Sequence, residues 1–251
     1  MQLADILYSQ GFGTRRACAG LIEAGVVEIL DASGIWQVAG VHDSGAGDDC
    51  AEGLHFRVQG EPWVCRLKAY IMLHKPAGTE CSQKPSAHPS IYSLLPSPLR
   101  LRPHKGGVLG VQAVGRLDQD TTGLLLLSDD GQFIHRMSSP KKHVAKVYEV
   151  TTKHPLTEVQ VQQLLAGVVL DDDPVPVKAA AAEWVSAHHL RLTLTEGKYH
   201  QVKRMLAAVS NRVECLHRSQ IGALKLPEDL LPGQWRYLSE LELLQAQRRQ
   251  T

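Results

Sequence analysis

One stretch, residues 113–131, constrains the fold most: AVGRLDQDTTGLLLLSDDG. Leu124–Leu127 is an unbroken apolar run closed by Asp129-Asp130-Gly131. A short apolar run bounded by turn residues reads as a strand buried on both faces. Just ahead of it stand Arg116 and Asp118, bracketed by Gly115 and Gly123, which permit sharp backbone turns. A charged group is therefore held at the edge of something rigid. Taken alone, an Asp before a strand is most often a turn residue.

The chain has 251 residues, room for two domains, and 43% hydrophobic content places it among ordinary globular proteins. No apolar run approaches the roughly 20 residues that a bilayer-spanning helix needs, so no membrane partner is expected. The start, MQLADILYSQGFG, lacks the pattern of an export signal. The five cysteines, Cys18, Cys50, Cys65, Cys81 and Cys215, are widely spaced with no CxxC. This usage fits a reducing, cytoplasmic setting, and neither a disulfide framework nor a structural zinc site is expected from it. No metal site is expected, because the histidines are scattered and no HExxH occurs. Residues 1–70 carry 5 Lys+Arg against 9 Asp+Glu, whereas residues 71–251 carry 22 against 17. A polyanionic partner would be gripped by the second part.

Along the chain, Leu3, Ile6 and Leu7 predict a short helix, and Thr14 caps a second one that ends at Gly25. VVEIL begins a strand, DSGAGDDCAEG reads as an acidic loop, and GEPWVCRLK reads as a linker. The expected organisation is a module over 1–60, a linker over 61–70 and a larger domain over 71–245. That domain opens with the strand and turn YIMLHKPAG. A proline-rich excursion over 84–110 follows, with a basic tip at Arg100, Arg102, His104 and Lys105. QFIHRMSS reads as a helix halted by Pro140, KKHVAKVYEVTT as a strand, and LTEVQVQQLLAGVVL as a capped helix. HHLRLTLTEG is a strand by alternation. YHQVKRMLAAVS is an amphipathic helix with Val202, Met205, Leu206 and Val209 on one side. A strand and loop follow in NRVECLHRSQIGALKL, and SELELLQAQRRQ is a terminal helix. Mixed elements without a regular βαβ rhythm predict an α+β fold.

GRLDQDTTGLLLLSDDG resembles the signature of the RsuA-type pseudouridine synthases. LHKPAG (73–78), KVYEV (146–150), EGKYHQVKRMLAAV (196–209) and LHRSQIGALKL (216–226) are similar to further blocks of that family, in the same order. The resemblance implies a central sheet that is mixed but mainly antiparallel, with flanking helices, preceded by a small S4-like α/β RNA-binding module. It implies isomerisation of uridine to pseudouridine in ribosomal RNA, with no cofactor consumed. Asp118 matches the family's catalytic aspartate. Tyr148 matches the tyrosine that stacks on the uracil, and Lys203 matches the cation paired with the aspartate, with Arg204 as its rival. Arg116 is assigned to the gap left by the flipped nucleotide or to the phosphate beside it. Lys75 and Pro76 are expected at the pocket wall.

Phosphate contacts are expected from Arg15, Arg16, Lys75, Arg204, Lys141 and Lys142, and from the basic tip, Arg212 and Arg218. The KYHQVKRM block looks closer to the small-subunit enzymes, so 16S rRNA, free or in an assembling ribosomal subunit, is the expected partner of a monomer. The alternatives are a large-subunit (23S) enzyme and a non-catalytic assembly factor on the same fold. A hydrolase reading finds no GxSxG or metal spacing to support it. The acidic balance of the first module predicts a smaller share of phosphate affinity than an S4-like module usually has. His74 stands where the family has Asn, and the 96–112 stretch is longer than in many relatives.

Overall fold

A computed structural model describes residues 2–40, 52–103, 110–139, 142–171 and 173–248. The chain forms two compact units. The first combines residues 1–69 with 95–112 and 128–130; the second holds 70–94, 113–127 and 131–251. Residues 43–51 of the acidic loop, His104, Lys105, Pro140 and Lys141 lie outside the described residues.

In the first unit, α1 (Leu3–Gln10) and α2 (Arg15–Glu23) precede β1 (Val27–Leu30), β2 (Trp36–Val38), β3 (His55–Val58) and β4 (Glu61–Val64). Thr14 caps α2 by accepting from the Ala17 amide. The four strands form one sheet in the order β2-β1-β3-β4. Its helix-facing side and the helices bury Leu3, Ile6, Leu7, Ile22, Val27 and Phe56. Residues 61–64, expected within a linker, are instead the edge strand β4, paired antiparallel to β3.

The helix α3 (Ser97–Leu101) leads directly into Arg102. Expected at an exposed basic tip, Arg102 is only 2% exposed. Its guanidinium pairs with Asp129 at 2.6 Å, bonds Gln10 Oε1 at 2.8 Å and donates to the Arg66 carbonyl at 2.7 Å. The Ala69 amide donates to the other Asp129 oxygen. One buried ion pair thus fixes three separate stretches of sequence into the first unit.

The second unit contains β5 (Tyr70–Lys75), β6 (Gln112–Ala113), β7 (Thr122–Ser128), α4 (Gly131–Ser138), β8 (Lys146–Thr152) and α5 (Glu158–Ala166). There follow β9 (Val168–Leu170), β10 (Asp173–Val177), β11 (Ala181–Ser186), β12 (His189–Leu194) and α6 (Gln201–Ala208). The chain continues through β13 (Val213–Ile221), β14 (Leu224–Lys225), β15 (Trp235–Tyr237) and α7 (Glu240–Gln247). The main sheet runs β11-β12-β8-β13-β7-β5-β15, with β14 and β6 pairing off β13 and β7. β11–β12, β12–β8, β8–β13 and β5–β15 are antiparallel, whereas β7–β13 is parallel, so the sheet is mixed and mainly antiparallel as expected.

β7 is the sheet's buried centre: Leu124, Leu125, Leu126 and Leu127 are all fully buried. Gly123 makes its approach to β13 possible. With φ +107°, it sits so close to Arg218 that an added Cβ would lie 2.3 Å from the Arg218 carbonyl oxygen. The helix expected to run to residue 170 stops at Ala166, because Gly167 (φ +117°) breaks it and β9 turns to pair with β10. Among the described residues, no helix is long and apolar enough to cross a membrane.

Arg236 grips Glu242 with both terminal nitrogens, at 2.8 and 2.5 Å, and Glu242 also closes the capping box of α7 with Ser239. The Arg236 hydrogen bonds hold the Glu242 carboxyl down at about 2, from an ordinary 4.5. A carboxyl depressed in the folded state adds stability above its unfolded pKa and loses it as pH falls toward the folded value. Glu242→Gln is therefore expected to melt below wild type at neutral pH. The gap should close progressively once pH drops below the ordinary glutamate range of about 4.3, as followed by thermal denaturation at a series of pH values.

Candidate active site

The second unit places the opening stretch at the lip of a cleft. Residues 114–121 approach β7 as a loop, with a turn closed by the Thr121 amide on the Asp118 carbonyl at 3.1 Å. Lys75 sits beneath this loop, fully buried. Its ammonium donates to the Thr121 carbonyl at 2.9 Å, to Pro76 at 3.1 Å and to Gln119 at 3.3 Å. Burial pushes the Lys75 pKa down, with partial relief from nearby groups including Asp120 and Asp118. The expectation that Lys75 contacts RNA is corrected: a fully buried ammonium cannot reach a phosphate, and its donors are spent on the loop. Its contacts hold the loop that carries Asp118 from beneath.

Asp118 emerges from that loop with its side chain about a quarter exposed, at 26%. Two cationic or proton-bearing groups of the α6 region meet it. Lys203 Nζ lies 3.2 Å from Asp118 Oδ2, and His200 Nε2 lies 3.3 Å from Asp118 Oδ1. Lys203 also bonds both oxygens of Asp120, at 2.7 and 2.9 Å. Burial alone would depress the Lys203 ammonium, but the Asp120 and Asp118 carboxylates outweigh it and raise its pKa. In turn, burial would raise Asp120, and the Lys203 hydrogen bond overcomes it and lowers that carboxyl. Lys203 is thus a fixed cation shared by two carboxylates. Arg204, the rival, turns away and donates to the Tyr199 carbonyl at 3.2 Å.

The position of His200 follows from its backbone. It adopts a left-handed conformation, φ +49°, at the N-cap of α6. Gln201 anchors the turn by accepting from the Lys198 amide at 2.8 Å and donating to Glu196 at 2.9 Å.

Tyr148 enters from β8, directly opposite Arg218 on β13, and is 8% exposed. It shares a pocket of about 80 Å³ with Asp118, Lys203, His200, Leu194 and Leu216. Arg116 lines this pocket and two adjoining hollows of about 100 and 530 Å³. It is exposed and, among the described residues, makes no hydrogen bond or salt bridge. Asp118, Lys203, Tyr148 and Arg116 are therefore brought together, although they come from three separate parts of the chain.

The remaining expected contacts divide. Arg218 is 2% exposed, with its Nε donating to the Leu124 carbonyl, so its expected phosphate contact is corrected in the same way as that of Arg102. Lys142 is exposed beside His135 and Arg136 in a shallow hollow. Arg212 lies 3.7 Å from Glu214. In the first unit, Arg15 and Arg16 are exposed; Arg15 bonds Asp5 at 2.8 Å and covers the Tyr8 ring. Sequence reasoning missed His200 and Asp120. Both stood in quoted motifs, but His200 reaches Asp118 only through its left-handed backbone at the N-cap of α6.

A carboxylate beside a fixed cation, at the mouth of a pocket walled by a tyrosine and leucines, is suited to chemistry on a planar polar ring attached to a charged backbone. Residues 69–208 match the family model described as RNA pseudouridylate synthase, and the chain belongs to that family. Its curated relatives carry a narrower name. It is 45% identical over 174 residues to the ribosomal small subunit pseudouridine synthase A of Yersinia pestis, covering 69% of this chain and 71% of that protein. The protein of that name from Escherichia coli strain K12 is 44% identical over 174 residues, 69% of this chain and 72% of its own length. That from Pasteurella multocida strain Pm70 is 41% identical over 194 residues, 77% of this chain and 78% of its own length. A solved structure described as a pseudouridylate synthase is 34% identical with a TM-score of 0.65, covering 98% of this chain and 99% of that one.

Proposed function

We propose that this enzyme converts one uridine of small-subunit (16S) ribosomal RNA to pseudouridine, with Asp118 as its catalytic carboxylate. The observation that carries this reading is Asp118 held between Lys203 and His200 at a pocket that also contains Tyr148. The names of the curated relatives support the small subunit as target.

In the reaction the N1–C1′ bond of uridine breaks, the uracil turns, and C5 bonds to C1′ while its proton passes to solvent and N1 regains one. Asp118 supplies the carboxylate, acting on the ribose either as nucleophile or as base. Lys203 stands 3.2 Å from that carboxylate as its counter-charge. A uridine must leave its stack to reach the pocket, at a cost of a few kcal/mol. Tyr148 offsets part of this by stacking on the uracil. Arg116, which has no protein hydrogen-bond partner among the described residues, takes the gap or the adjacent phosphate. The enzyme acts in the cytoplasm as a monomer, on free RNA or an assembling subunit.

Mapping pseudouridines in ribosomal RNA from a strain lacking this protein tests the proposal. One small-subunit pseudouridine should disappear and return when the gene is restored. An unchanged map would overturn the reaction, and a loss confined to 23S rRNA would overturn the target.

A further inference from the structure

Tyr199 is the most exposed tyrosine or tryptophan beside the candidate site, at 69%. It is not loose: its ring stacks on that of His200, with centroids 3.8 Å apart and planes 22° apart. His200 in turn contacts Asp118 at 3.3 Å. With one face on His200 and most of its surface exposed, Tyr199 presents its other face to solvent. It lines an open cleft of about 530 Å³ together with Asp118, Arg116, Lys198, Gln119 and Ser82. The one carboxylate of that cleft away from the Asp118 loop is Glu80. Its oxygens are occupied by the backbone amides of Ser86, Ala87 and His88. A rigid, exposed aromatic ring flanked by two cations has the makeup of a single-strand nucleic-acid platform, where bases stack and cations follow the backbone.

We propose that Tyr199 is a stacking platform for the nucleobase flanking the target uridine, with Arg116 and Lys198 beside the adjoining phosphates. The inference rests on the RNA substrate proposed above. When the uridine leaves the helix, its neighbour loses a stacking partner, and Tyr199 replaces that surface.

The test uses the full-length protein and a stem-loop of small-subunit rRNA with 2-aminopurine beside the converted uridine. Stacking on one aromatic side chain contributes about 1–3 kcal/mol per base, so Tyr199→Ala should weaken RNA binding by roughly 5- to 150-fold. The single-turnover rate at saturating RNA should stay within about threefold of wild type, because Tyr199 does not touch the reacting atoms. Tyr199→Phe should bind like wild type. The 2-aminopurine fluorescence should be quenched by wild type and Tyr199→Phe, and not by Tyr199→Ala. Unchanged affinity and quenching in Tyr199→Ala would overturn the proposal. A fall in rate with unchanged affinity would also overturn it, assigning Tyr199 to holding His200. Should wild type bind and quench yet convert no uridine, the failure lies with the proposed reaction and the platform stands.

Discussion

Asp118→Asn is expected to lower pseudouridine formation by at least about 10³-fold, equivalent to roughly 4 kcal/mol of lost transition-state stabilisation. The substitution is nearly isosteric and keeps a polar group beside Lys203 and His200, so the fold and the cleft persist. RNA affinity should stay within about threefold, because phosphate contacts and base stacking dominate binding and neither uses the Asp118 charge. The two effects separate an enzyme from an assembly factor on the same fold: a binding protein would show no turnover to lose. Nucleoside analysis of treated RNA beside a binding titration checks both halves. Retained turnover would remove Asp118 from the mechanism, and a matching loss of affinity would make its role one of binding.

Arg102→Met is expected to give the largest loss of stability, about 3–5 kcal/mol, as found when one partner of a buried ion pair is removed. The methionine fills much of the volume but leaves the Asp129 carboxylate, only 6% exposed, without its counter-charge. The Gln10 oxygen and the Arg66 carbonyl each lose one of two donors, keeping the bonds they make with each other's residue. Because Arg102 joins residues near 10, 66 and 129 within the first unit, the loss should appear there first. Denaturant unfolding followed by hydrogen exchange checks it, with protection falling in α1 and around residues 66–69. A change under about 1 kcal/mol would mean that solvent already shares the pair. The double variant Arg102→Met/Asp129→Leu should recover part of the loss, since it removes the uncompensated charge.

These two arginine and aspartate positions illustrate what the sequence could convey. Asp118 and Lys203 were singled out because their blocks resemble those of the family; by local pattern alone, an Asp before a strand reads as a turn residue. The strand over the four leucines, the Thr14 cap and the amphipathic α6 were legible because periodicity and capping act over a few residues. Arg102 and Arg218 were misread as surface cations. Their burial depends on partners 27 and 94 positions away, Asp129 and Leu124, which no local pattern encodes. Lys75 was placed at the wall, but its buried contacts with the 118–121 loop came from sheet pairing rather than from its neighbours in sequence. The short strands β4, β9 and β10 were missed for a related reason. Each is held by its partner rather than by its own alternation, and Gly167 ends α5 where the apolar pattern alone would have continued it. His200 needed a left-handed backbone to reach Asp118, and composition does not announce that conformation.

The most direct measurement of the central claim is tritium release from RNA carrying uridine labelled at C5, in single turnover with excess enzyme. Bonding C5 to C1′ expels that hydrogen, so release reports the reaction itself and not binding. Wild type should release the label from one uridine per small-subunit RNA, and Asp118→Asn, bound to the same RNA at saturation, should release none above background. Release by Asp118→Asn at a rate near that of wild type would contradict the assignment of the carboxylate on which the mechanism stands.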